Sequence, residues 1–117
     1  MSRSVMLCIE GTQAEFERRL KDAQRLYIEA WDEAIDDYDA CVAAHYIAHL
    51  EQDPRKALQW NLEALARADA VGNECVKPFY PSLYVNVGRS YELVGAEAEA
   101  QRYYDLAAQL GLVHQRD

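Results

Sequence analysis

Cys41, His45 and His49 stand at i, i+4 and i+8, which lines up one thiol and two imidazoles along a single helix face. Thiolate and imidazole are zinc and copper ligands, so the trio is a candidate metal set. The two histidines can share one ion; Cys41 lies a further turn along the axis. The stretch His45-Tyr46-Ile47-Ala48-His49 lacks the glutamate of an H-E-x-x-H motif. The competing reading, a buried thiol beside a core histidine, fits the pattern better. Cys41 and His45 also have the spacing of a nucleophile and its base, but no third group orients the imidazole. Asp32, Glu33, Asp36, Asp37 and Asp39 supply carboxylates. Catalytic carboxylates need a desolvated cleft that separates their pKa values. At a helix start the same residues cap the chain and meet the positive end of the amide dipoles. No G-x-S-x-G, Walker loop or dinucleotide fingerprint is present. The chain reads as a non-enzyme with no cofactor.

Charge narrows the partners. Twenty acidic residues against 12 basic give a net charge of -8 in 117 residues. That field repels phosphate backbones and argues against nucleic acid. The densest basic cluster, Arg18, Arg19, Lys21 and Arg25, is interleaved with Glu15, Glu17, Asp22 and Glu29 at helical spacing. Such mixing marks a solvated, ion-paired face. No apolar run is long enough to span a bilayer. Residues 5–9 are too short for a signal-peptide core, and Glu10 interrupts them. The expected setting is the cytoplasm, away from membranes. Cys8, Cys41 and Cys75 are odd in number and widely spaced, so free thiols are expected.

The elements that must position these groups are helices. Thr12-Gln13-Ala14-Glu15 has the form of a capping box. It predicts a flexible leader over 1–11 and a helix over 13–33, with Phe16, Leu20, Ala23, Tyr27, Ala30, Trp31 and Ala34 as its apolar stripe. Asp36-Asp37 can cap a helix over 37–51. Asp53-Pro54 restarts the chain, with proline in the first turn where its missing amide hydrogen is not needed, and Gly72 stops it. Pro81 opens a further helix to Leu93 or Val94; Gly95 turns the chain into a last helix ending near Leu110. A tail covers 113–117. The prediction is one all-α domain over 12–112, an antiparallel helix-hairpin stack of about five helices.

A pattern is written more than once along these helices. Tyr84, Val87, Gly88, Tyr91, Gly95, Ala100, Tyr104 and Ala107 form its strongest copy. A weaker copy runs through Cys41, Ala44, His45, Ala48, Ala57, Asn61 and Ala64, and a partial one through Ala23, Tyr27 and Ala30. Small residues let backbones approach; tyrosines and tryptophans supply the bulk opposite. This pattern resembles the tetratricopeptide repeat, a helix-turn-helix unit of 34 residues. The step from Ala23 to Ala57 matches that period; the step from Ala57 to Ala100 is 43 residues, with the extra length around 71–80. In the middle copy His45 replaces the small residue and Asn61 the aromatic.

The resemblance implies protein–protein interaction through preorganised helices. In that family the first helix of each pair lines a concave surface. Carried onto this chain, the groove residues are Asp39, Val42, Tyr46 and His49 from one helix. Val85, Asn86, Arg89 and Glu92 come from another. The same register points Cys41 and His45 into the packing between helices. The lysine and asparagines with which some relatives clamp a peptide carboxylate are not matched: Val85, Arg89, Val42 and Tyr46 occupy those places. With the net charge, this favours a basic or apolar segment, supplied as a peptide or a partner helix. Leu106, Leu110 and Leu112 have no following helix to cover them, which points to homodimerisation through the exposed end of the stack.

Overall fold

The computed structural model describes residues 1–111 and consists of six helices. They are α1 (Arg3–Phe16), α2 (Leu20–Asp32), α3 (Asp37–Leu50), α4 (Pro54–Val71), α5 (Tyr80–Leu93) and α6 (Glu97–Gln109), with one 3-10 turn at Lys77–Phe79 before α5. α1 pairs with α2, α3 with α4 and α5 with α6, as three antiparallel hairpins. The hairpins stack in chain order through α2 against α3 and α4 against α5. This is the all-α hairpin stack expected. The predicted tail over 113–117, and Leu112, lie outside the described residues.

The first third of the chain corrects the sequence reading. Residues 1–11 are not a flexible leader: Ser2 caps α1 by accepting from the Val5 amide at 3.1 Å, and Leu7, Cys8, Gly11 and Ala14 are buried. That stripe repeats every three or four residues, but most of its members are small, so it carries little hydrophobic signal. Thr12 is therefore inside a helix, and its hydroxyl donates to the Cys8 carbonyl at 2.9 Å. The helix expected over 13–33 is broken at residues 17–19. Arg18 there takes φ +63°, a left-handed conformation that L side chains disfavour, and no glycine announces it.

The reason lies in the packing. Tyr27 of α2 is fully buried against the backbone of α1, so that a Cβ on Gly11 would stand 2.3 Å from its ring. Gly88 makes the same approach to Tyr104 in the third hairpin, where a Cβ would stand 2.8 Å from the ring. The two turns match as well. Arg19 N donates to Ala14 O at 2.8 Å, Ala96 N to Tyr91 O at 2.9 Å, and Gly95 takes the left-handed place of Arg18 with φ +85°. Two copies of one hairpin thus flank a middle one built differently. The α3–α4 turn instead uses Asp53, which accepts from Arg55 N at 3.0 Å, and Pro54 in the first turn. The starts and stops at Asp36, Pro54, Gly72 and Gly95 fall where expected, because each is fixed by its own local chemistry.

Candidate functional site

The middle hairpin departs from its neighbours at three places in one register. Gly11 and Gly88 correspond to His45, Tyr27 and Tyr104 to Asn61, and Glu15 and Glu92 to His49. In the outer hairpins the tyrosine ring lies on the glycine, and its hydroxyl donates to the glutamate four residues on. Tyr27 reaches Glu15 at 2.8 Å and Tyr104 reaches Glu92 at 2.7 Å. Asn61 has neither the bulk nor the reach. Its amide turns to α5 and donates to Ser90 Oγ at 2.8 Å, a buried bond between hairpins. The segment of extra length, 71–80, also stands between α4 and α5. The result is that α3 and α5 make little backbone contact, although α1 and α3 do touch. A cleft opens between α3 and α5.

The cleft has two hollows that share His45. One, of about 240 Å³, is lined by Cys41, Val42, His45, Tyr46, Pro78, Phe79, Ser82 and Leu83. Apart from the imidazole and Ser82 its wall is apolar or aromatic. The other, of about 270 Å³, is lined by His45, Ala48, His49, Glu51, Ala57, Asn61, Asn86, Arg89, Ser90 and Leu93. It is richer in polar groups than the first: amide, imidazole, guanidinium and the Glu51 carboxylate stand beside Ala48, Ala57 and Leu93. Between them Asn86 Nδ2 approaches His45 Nδ1 at 3.5 Å, a long and weak contact. Burial, and then the neighbouring His49, hold the His45 pKa below the ordinary imidazole value, so its neutral form is favoured.

A polar network ties the cleft to the first hairpin. Glu15 accepts from the Tyr27 hydroxyl through one oxygen and meets His49 Nε2 through the other at 2.9 Å. Tyr46 stacks on Tyr27 with ring centres 5.0 Å apart, and His45 meets Tyr46 edge-on at 5.1 Å. α1, α2 and α3 are thereby held in one arrangement beside the cleft.

Five of the eight groove candidates, Val42, Tyr46, His49, Asn86 and Arg89, line the two hollows. The other three do not. Asp39 is 3% exposed and serves the fold: it accepts from Ser2 Oγ at 2.9 Å and from Ile35 N at 3.3 Å. Val85 is 7% exposed and faces the core. Glu92 holds the Tyr104 hydroxyl. The register predicted the helix face of these residues but not their depth.

The metal alternative is corrected. Cys41, His45 and His49 do not converge: among the described residues no group of three or more His, Cys, Asp or Glu could hold an ion. Cys41 is 1% exposed, and burial pushes its thiol up to about 11. His49 Nε2 already meets Glu15.

Phe79, Leu83, Asn61 and Ser90 belong to the cleft without having been expected there. The signal for Asn61 was present as a departure from the repeat beside His45. Phe79 needed the path of the inserted segment, which no local pattern gives.

No helix among the described residues is long and apolar enough to cross a membrane. No protein-family model, no curated protein and no solved structure matches this chain. Its likeness to tetratricopeptide repeats is therefore one of architecture: three helix hairpins stacked in sequence, with small residues facing tyrosines at the repeat positions.

Proposed function

We propose that this domain is a non-catalytic interaction module, a small adaptor that takes a segment of a partner protein into the cleft between α3 and α5. The observation that carries the reading is the pairing of an apolar hollow with a polar one across His45, on helices held rigid by the hairpins on either side. Rigid walls leave little of the domain's own entropy to lose on binding. The proposed setting is the cytoplasm, which suits three free thiols.

The test is capture from native lysate with the wild-type domain beside a Ser82→Trp/Arg89→Ala variant. Both positions are exposed on the cleft, so the fold is spared while the apolar hollow is plugged and the cation removed. A partner held by the wild type and lost by the folded variant supports the reading. Equal recovery by both refutes the cleft as the binding surface.

A second copy of the chain is the other partner proposed. Exposed apolar side chains favour the first hairpin as the contact: Met6, Ile9 and Phe16 lie on one outer face of α1, at 50%, 53% and 86% exposure. At the other end Leu110 is 53% exposed. Sedimentation of the wild type and of Phe16→Ser decides it. A wild-type monomer at high micromolar concentration rules the dimer out.

A further inference from the structure

Resting on the reading of the cleft as a partner site, we infer that the bound segment is extended and carries an acidic side chain three residues from a large apolar one.

The charge comes from Arg89. It is exposed, it lines the polar hollow, and it makes no ion pair among the described residues. Each acid around the cleft, including Glu51 in the same hollow, has a hydrogen-bond partner other than Arg89. Glu51 accepts from Asp53 N at 3.2 Å, Glu92 from the Tyr104 hydroxyl, and Glu15 from the Tyr27 hydroxyl while meeting His49. Arg89 therefore keeps a planar fork of donors open toward the hollow, and a carboxylate is the group that matches it. Asn86, one turn before it on α5, and Asn61 bring amides to the same hollow. The net charge of -8 opposes an acidic segment at long range. At physiological salt that opposition is screened over about 8 Å, whereas a contact ion pair is formed well inside this length.

The apolar requirement comes from the other hollow, between Val42 and Tyr46 of α3 and Phe79 and Leu83 before and on α5. It faces the segment with aromatic edges and methyl groups, so it takes a side chain of that class.

The spacing comes from the helices. Leu83 in the apolar hollow and Arg89 in the polar one are six residues apart on α5, roughly 9 Å at the helical rise. An extended chain of the polyproline II kind covers that distance in about three residues, and its three-residue turn brings the two side chains back to the same side. A helical segment would need about six residues for the same span, so a three-residue spacing is the mark of an extended chain.

The experiment is selection from a random twelve-residue peptide library, displayed with a C-terminal spacer so that no free terminal carboxylate is offered. It is panned in parallel on the wild type, Arg89→Gln, Arg89→Glu and Ser82→Trp/Arg89→Ala. The expected result on wild type is enrichment of an acidic residue three positions from Phe, Tyr, Trp or Leu. The selected peptides should bind Arg89→Gln roughly tenfold more weakly, as loss of one charge-assisted contact implies. Arg89→Glu should select Lys or Arg at the acidic position. Wild-type peptides without an acid, or the same peptides from Arg89→Gln, would overturn the acidic requirement while leaving the cleft as the site, provided Ser82→Trp/Arg89→Ala still loses them. Acid and apolar residues enriched at another spacing would overturn the extended geometry. No enrichment over the doubly substituted variant would remove the cleft reading itself.

Discussion

Replacing Gly11 by alanine should destabilise the domain even though alanine is the better helix former. In an unhindered helix the change gains about 1 kcal/mol. Here the new methyl carbon would stand 2.3 Å from Tyr27 Cε1 and 2.7 Å from Cδ1. The ring cannot retreat freely. Tyr46 stacks on it, and its hydroxyl is held by Glu15 at 2.8 Å. Overfilling of a packed contact costs about 1–3 kcal/mol; an approach this close takes the upper part, about 2–3 kcal/mol, so the net effect is destabilisation by about 1–2 kcal/mol. With a urea m-value of about 1–3 kcal/mol/M, the unfolding midpoint should fall by roughly 0.5–1 M at unchanged m. The decisive form is a double-mutant cycle. In a Tyr27→Leu background the ring edge is gone, and Gly11→Ala should regain its helix-propensity gain of about 1 kcal/mol. The sign of one substitution then reverses, with a coupling of about 2–3 kcal/mol. Gly95→Ala is the control: it meets nothing within 4 Å but sits at φ +85°, so its cost is one of backbone strain and is indifferent to Tyr27. Gly11→Ala raising the midpoint in the presence of Tyr27, or the absence of coupling, would refute the packing register on which the stack is built.

Asp39→Ala should cost about 1–3 kcal/mol by stranding the Ile35 amide and the Ser2 hydroxyl, with faster hydrogen exchange at the start of α1; unchanged stability would return Asp39 to the groove. Cys75 is exposed, whereas burial, joined by the charge of Asp39, pushes Cys8 up to about 11, and burial alone does the same to Cys41. Iodoacetamide at pH 8 should therefore add one label to the native chain and three in urea, counted by mass spectrometry, and rapid labelling of Cys41 in the native state would contradict its burial. His45 is a base whose folded pKa lies below its unfolded value near 6.5, so the unfolded chain takes the proton first as pH falls. Its share of stability is present above pH 6.5 and is lost below it, and a midpoint series from pH 8 to 5 should be flatter for His45→Asn than for the wild type. An unchanged slope would place the imidazole in solvent.

The repeat pattern was legible because it is local. Asp53, Pro54 and Gly72 act on the residues next to them, and α4 runs from Pro54 to Val71 as those signals require. The alternation of small residues with tyrosines over 84–107 carried the third hairpin for the same reason. The first hairpin was hidden by chemistry that is indifferent to its neighbours in sequence. Ser4, Gly11 and Ala14 have little hydrophobicity, yet all are buried, because α2 and α3 close over them. Arg18 turns the chain without a glycine, because packing of Tyr27 on Gly11 outweighs a local strain of about 1–2 kcal/mol.

The sequence by itself determined a helical chain, its hairpin periodicity and the helix face on which Val42, Tyr46, His49, Asn86 and Arg89 lie. Each of these follows from spacing within one helix. Only the tertiary structure decided that Asp39 and Val85 are buried, that Cys41, His45 and His49 do not converge on a metal, and that a cleft opens between α3 and α5. The physical reason is that depth and separation are set by non-local volume. Asn61 in place of a tyrosine, His45 in place of a glycine and the inserted segment before α5 act together across the stack, and no single stretch of sequence holds all three.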